Sequence, residues 1–317
     1  MYRIFNIAVD SNIPLPELPK ITHSSDLISN ITFRLTDLPL TSTKQPHWFH
    51  HWYMDDDKTE AAISVARING QYLLRFVGHA DFMLDLNAAM IQCYPSVDTP
   101  VETIRHLLVD QVIPRFLGQQ GNLILHASAV ELVDGSYIAF LGKSGWGKST
   151  IASSFQQHGA QLLTDDGLLL NVNGGQLTVT PAYAGSRLWQ DSADVVFPEY
   201  RDLPQVTHYS NKKRLIILNE KTSLQKIELQ AIFLLNDPME DTGLSSIKIE
   251  ALKGIEKIMP TIRHTFLLDV KDIAAVTKQF DIASHLSQTK LAIYSLSYPR
   301  QYNQLAELRA AILAVVK

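Results

Sequence analysis

Up to about residue 98, apolar residues come in short blocks set between turn residues. Blocks at 4–9, 30–34, 61–66 and 72–77 predict strands, and Asn69-Gly70 between the last two is a hairpin dipeptide. From 99 to 117 the rhythm becomes helical, with Ile104, Leu107, Leu108 and Val112 forming one stripe. Pro100 suits the start of that helix, and Pro114 is expected to kink or shorten it. Strands are predicted at 122–133 and 136–141, joined by Asp134-Gly135. A helix follows over 151–158, with Ile151 and Phe155 on one face and Gly159 placed as its C-cap. Residues 161–163 predict a short strand, and 167–172 with 177–179 a hairpin around Asn173-Gly174-Gly175. Further strands are predicted at 215–218 and 231–235. A final helix covers 302–316, carrying Leu305, Leu308, Ile312, Val315 and Val316. The stretch from Asp191 to Lys213 is polar and turn-rich, which predicts a mobile or substrate-facing loop. The pattern divides the chain into a β-rich region, 1–120, ending in a helix, and an α/β region, 121–317.

Composition narrows the partners. The chain has 317 residues, and 46% of them are apolar, enough for a large core. Its formal net charge of −4 gives no basic footprint for nucleic acid and no polybasic stretch for a membrane surface. Cys93 is the single cysteine, so an internal disulfide framework and a cysteine-based zinc cluster are excluded. The N-terminus has no signal-peptide pattern, and no apolar run has the length of a membrane span. A cytoplasmic setting is expected. Self-association is left open.

The strongest chemical signal is Gly142-Lys143-Ser144-Gly145-Trp146-Gly147-Lys148-Ser149-Thr150, a phosphate-cradling P-loop. Glycines let successive backbone N–H groups turn toward one phosphate. Lys148 supplies charge to the β- and γ-phosphates, and the Ser149 hydroxyl offers a place for Mg²⁺. The loop sits between an apolar strand and a helix, the context the motif needs, and the helix dipole adds to the anion site. Asp165-Asp166 end the next strand. In an open α/β sheet this puts both carboxylates beside the phosphates, one able to hold Mg²⁺ and the other to accept a hydroxyl proton. An apolar strand ending at Asp237 is the competing acidic position, needed if the chain were an ordinary NTPase.

Leu125-His126-Ala127-Ser128, the loop from Phe140 to Ser149, and Leu162-Leu163-Thr164-Asp165-Asp166 together resemble the catalytic domain of HPr kinase/phosphorylase and its compact relatives. The likeness spans about residues 122–235 and is tight over 125–170. It implies an α/β core related to phosphoenolpyruvate carboxykinase. By the same resemblance Asp166, eighteen residues after Lys148, takes the catalytic aspartate's role, Ser149 is the Mg²⁺ ligand, and His126 matches the family's active-site histidine. The chain departs from the family in lacking a Glu-x-Arg-Gly motif, and its first 120 residues do not read as a regulatory domain. Some compact relatives phosphorylate a serine of a lasso-peptide precursor, and the layout here resembles theirs.

The expectation is an ATP- and Mg²⁺-dependent kinase acting on a serine hydroxyl of a peptide or small protein. The rivals are a small-molecule hydroxyl kinase and a nucleotide-binding module without transfer chemistry. Arg187 and Lys213 are the candidates for a cation facing the transferring phosphoryl group. Lys143 is a second loop cation and Trp146 a residue that packs on the loop. His47, His50 and His51 stand among Trp48, Phe49 and Trp52, a pattern read as an aromatic-rich loop or partner-facing patch in preference to a zinc site.

Overall fold

A computed structural model of the chain describes residues 1–21, 29–37, 40, 45–53, 61–173, 176–197, 205–207, 210–216, 226–239 and 243–316. Among these residues the fold is mixed α/β with several sheets. The first sheet holds β1 (Tyr2–Ile4), β2 (Ile7–Ser11), β3 (Ser29–Leu35), β4 (His47–Tyr53), β5 (Ala61–Ile68), β6 (Gln71–Phe76), β7 (Ala80–Asp85) and β8 (Met90–Pro95), in the order β1-β2-β3-β8-β7-β6-β5-β4. The single strand expected over 4–9 is two, because Phe5 takes a left-handed turn (φ 53°) that folds β2 back on β1. Asn69 and Gly70 (φ 51° and 82°) form the expected tight hairpin between β5 and β6. The segment read as an aromatic loop is instead the edge strand β4. Its pairing with β5 shifts register twice, so its side chains lack the clean alternation that marks a strand.

The helix expected over 99–117 runs as α1 (Val101–Leu107), a π-helical turn (Leu108–Val112) and α2 (Ile113–Gln119). Pro114 has no N–H to give to the carbonyl of Asp110, four residues earlier. The helix widens there instead of ending, and Pro114 falls in the first turn of α2.

The strand expected over 122–133 breaks at His126. β9 (Leu123–Leu125) joins a small sheet with β13 (Leu168–Asn173) and β14 (Gln176–Pro181). β10 (Ala127–Glu131) enters a six-stranded sheet with β11 (Tyr137–Leu141), β12 (Gln161–Thr164), β18 (Ala231–Leu235), β19 (Lys248–Ala251) and β20 (Ala292–Ser297), in the order β12-β10-β11-β18-β20-β19. A third sheet holds β15 (Gly185–Leu188), β16 (Gln205–Thr207) and β17 (Ser210–Ile216). The segment read as a loop from Asp191 onward is in part regular: it contains most of α4 (Gln190–Val196), then β16 and the start of β17. Gly174, Gly175 and Leu218, named above in a turn and a strand, lie outside the described residues.

Period-two alternation gives the six-stranded sheet two apolar faces. Ala139, Leu141, Ile232 and Leu234 face a core shared with β13, β14 and α6 (Ile273–Ser284). Ile138, Phe140, Ala231 and Phe233 face α3 (Lys148–Gln156) and α7 (Leu305–Val316), through Ile151, Phe155, Leu308 and Ile312. Stacked rings of Phe155, Phe140, Phe233 and Tyr294 run through that second core at 5.3–5.9 Å spacing. A separate core joins the first sheet to α1, the π turn and α2, and continues beyond residue 120 into Ile124, Leu169, Phe266 and Leu268. No helix among the described residues is long and apolar enough to cross a membrane.

Candidate active site

Strand direction gathers the site. β11, β18 and β20 are parallel, and β10 is antiparallel to both β11 and β12. The C-terminal ends of β11, β12, β18 and β20 and the N-terminal end of β10 therefore share one edge of the sheet. That edge carries the P-loop, Asp165-Asp166, Asn236-Asp237, Tyr298-Pro299-Arg300 and His126. A cavity of about 360 Å³ opens there, walled by His126, the loop from Ser144 to Thr150, Asp166 and Arg187, and on its other side by Trp189, Arg300 and Tyr302.

The loop curls through Gly145 (φ 82°) and Gly147 (φ 96°), and Gly147 starts α3. A Cβ on Gly147 would stand 2.5 Å from the Tyr298 hydroxyl, so the position needs glycine for space as well as for backbone. Lys148 is buried, and its Nζ donates to the carbonyls of Gly142 (2.8 Å) and Lys143 (3.0 Å). The Lys143 side chain is exposed and lies 5.5 Å over the Trp146 ring, and neither Gly142 nor Lys143 walls the cavity. Trp146 packs edge-on against His264.

The two aspartates differ in depth. Asp165 is buried beneath the cavity wall, where its carboxylate accepts from the Ser128 hydroxyl (2.6 Å) and the Arg187 backbone N–H (2.7 Å). Burial raises its pKa above the usual carboxylate value, against the pull of Ser128, Arg187 and Ser149. Asp166 lines the cavity and pairs with the Arg187 guanidinium. His126 Nε2 faces the other Asp166 oxygen at 3.3 Å. Burial, then the charges of Lys148, Arg187 and Arg115, hold the His126 pKa well below 6.5. The ring is neutral at pH 7.

The structure thus brings Lys148, Ser149, Asp165, Asp166, His126 and Arg187 together. The Lys213 side chain lies outside the described residues, although β17 places its backbone opposite Leu188. Asp237 does not wall the cavity. Its carboxylate accepts from the Met239 N–H at 2.9 Å and closes a turn. His47, His50 and His51 lie on β4, with His51 Nδ1 2.8 Å from the Ser64 hydroxyl and the His50 ring against Trp52. Among the described residues no three His, Cys, Asp or Glu side chains are grouped to hold a metal.

No protein-family model matches the chain, and no curated protein matches it. Among solved structures it is distantly similar to the HPr(Ser) kinase/phosphatase from Coxiella burnetii. That likeness has 13% identity, covers 61% of this chain and 99% of that one, and gives a TM-score of 0.34.

Sequence reasoning missed several residues around the cavity. Arg300 follows β20, a strand the apolar pattern did not reveal. Its guanidinium lies 3.9 Å over the Tyr298 ring, donates to the Asn236 carbonyl (2.8 Å) and reaches the Trp146 carbonyl. It ties the P-loop to the ends of β18 and β20. His264 was also missed: burial and the charges of Lys148, Lys143 and Arg263 lower its pKa to about 4. Asp110 was passed over within the helical stripe. It is an acid among Leu107, Leu108, Val109 and Val112, and that misfit was the available signal.

Proposed function

We propose that the chain is an ATP-dependent kinase that transfers the γ-phosphoryl group to a serine hydroxyl of a peptide or small protein. The observation that carries this reading is the setting of Asp166: a carboxylate on the cavity wall, held by Arg187 on one side and a neutral His126 on the other, in the same cavity as the P-loop and Lys148. A nucleotide module without chemistry needs the loop and the lysine but has no use for this arrangement.

The residues divide the work. The glycine-curled loop and the first turn of α3 present backbone N–H groups to phosphate oxygens, and Lys148 adds its charge. Ser149 and Asp165 form an all-oxygen donor pair of the kind Mg²⁺ takes, and a buried carboxylate with a raised pKa gains from a neighbouring cation. Mg²⁺, when bound, neutralises charge on the β- and γ-phosphate oxygens. Asp166 accepts the proton of the acceptor hydroxyl. Neutral His126, its Nε2 3.3 Å from Asp166, lines that side of the carboxylate without adding positive charge. Arg187 faces the negative charge on the phosphoryl group as it moves.

The serine acceptor rests on the resemblance of 125–170 to the HPr-kinase family. The test is transfer from γ-labelled ATP with Mg²⁺ into a mixture of polypeptides and small metabolites. Label in a polypeptide, stable to base as phosphoserine is not, would sink the serine assignment. Label only in a low-mass product would replace the peptide acceptor with a small-molecule hydroxyl.

A further inference from the structure

Arg187 reaches two carboxylates, and the second comes from the first 120 residues. Its Nη2 pairs with Asp166 at the cavity, and its Nη1 lies 2.8 Å from Asp110 Oδ2. Asp110 sits in the π-helical turn with its side chain fully buried. The other Asp110 oxygen accepts from the Tyr183 hydroxyl at 2.6 Å, and His106 Nδ1 lies 2.7 Å from Oδ2 and 3.1 Å from Arg187 Nη1. A charged aspartate is costly among the leucines and valines of this core. It is tolerated because Arg187, Tyr183 and His106 meet it.

From this geometry we infer that Asp110 is a positioning residue for phosphoryl transfer: it holds the Arg187 guanidinium against Asp166, so that the helix of the N-terminal region completes the active site. The inference rests on the kinase reading above. A guanidinium is planar, and fixing one edge on Asp110 fixes where the other edge points. Without Asp110 the Nη1 edge of Arg187 loses the carboxylate that fixes it, and the guanidinium is no longer set in the one plane that presents Nη2 beside Asp166 at the cavity. The nucleotide is held by the loop and Lys148, which Asp110 does not touch, so the effect belongs to turnover and not to nucleotide affinity.

The test measures kcat and KM for ATP in labelled transfer, together with melting temperature, for wild type, Asp110→Asn, Tyr183→Phe and Arg187→Lys with and without Asp110→Asn. Outer contacts of this kind are worth about 10–100-fold. Asp110→Asn is expected to lower kcat about 30-fold with KM for ATP within about 3-fold, and Tyr183→Phe to lower kcat a few-fold in the same pattern. In the Arg187→Lys background the Asp110 change should add less than about 2-fold. If Asp110→Asn fails to fold, Tyr183→Phe carries the same comparison. Equal kcat in wild type and the folded variants, loss of kcat only in proportion to unfolded protein, or multiplying effects in the double variant would each overturn the inference. A wild type that binds ATP and transfers nothing would overturn the kinase reading and this role with it, whereas a transferring wild type matched by Asp110→Asn overturns the role alone.

Discussion

The N-terminal sheet and the six-stranded sheet have similar apolar cores and opposite treatments of charge. Around the N-terminal sheet, ions meet as pairs near the surface: Arg34 with Asp10, Arg75 with Asp81, and Arg67 with Asp269, each with one partner at least two-fifths exposed. At the edge of the six-stranded sheet, Lys148, Asp165 and Arg187 are all buried within one neighbourhood. Surface pairs contribute little to stability and cost little to keep. Buried ionic groups carry a desolvation cost that hydrophobic residues of the same size would avoid. The contrast shows that the chain carries that cost at the edge where the cavity opens. Two buried acids of the N-terminal region depart from that contrast: Glu17, paired with Arg105 at 3.0 Å, and Asp110, which alone of the two reaches Arg187 at the edge where the cavity opens.

The comparison breaks most visibly at Lys148. Lys148→Ala should lower phosphoryl transfer by about 10²-fold or more, because the loss falls on charge stabilisation in the reacting state. Transfer kinetics check it, and near-normal turnover would mean that the buried charges at this edge are structural, like any other core pair.

Gly147→Ala should come next. The left-handed backbone costs an alanine about 1–2 kcal/mol, and its Cβ would meet the Tyr298 hydroxyl. ATP affinity by calorimetry is expected to fall about 10-fold, with a lower melting temperature. Unchanged affinity would show that the curl of the loop does not hold the phosphates.

His264 sharpens the comparison through pH. Its pKa is near 4 in the folded chain against 6.5 as the ordinary value. Between those values the unfolded chain binds more protons, so stability is full above pH 6.5 and is lost as the pH falls toward 4. His264→Asn removes that share. Its melting temperature should drop less than that of wild type between pH 7 and 4.5, and parallel curves would refute the assignment. The smallest effect belongs to the N-terminal sheet. Arg75→Ala should change stability by about 0.2–1 kcal/mol, less in high salt, and leave transfer untouched. A large loss of activity there would erase the distinction between the two regions.

The grouping of residues at the cavity edge was legible where they lie close in sequence. The P-loop, the strand before it and Asp165-Asp166 form one run, because a strand–loop–helix–strand unit places its own ends together. Arg187 was named but could not be aimed, since its direction depends on β15 and on Asp110, 77 residues away. Arg300 and His264 were invisible for the same reason: nothing near them in sequence says that β20, or the turn after α5 (Ile258–Ile262), returns to the P-loop. In the N-terminal region β7 and β8 were missed. Asp81, Asp85 and Gln92 dilute their apolar runs, and the sheet supplies the pairing that local pattern does not. The π-helical turn was foreshadowed by Pro114, but the meeting of its buried Asp110 with Arg187 was not.

The most direct measurement is a side-by-side comparison of wild type and Asp166→Asn, recording ATP affinity by calorimetry and transfer from γ-labelled ATP with Mg²⁺. The account predicts affinities within a few-fold of each other and transfer lowered by about 10²-fold or more in the variant. Transfer by Asp166→Asn at close to the wild-type rate would contradict it, and Asp166 would then be no more than the partner that neutralises Arg187.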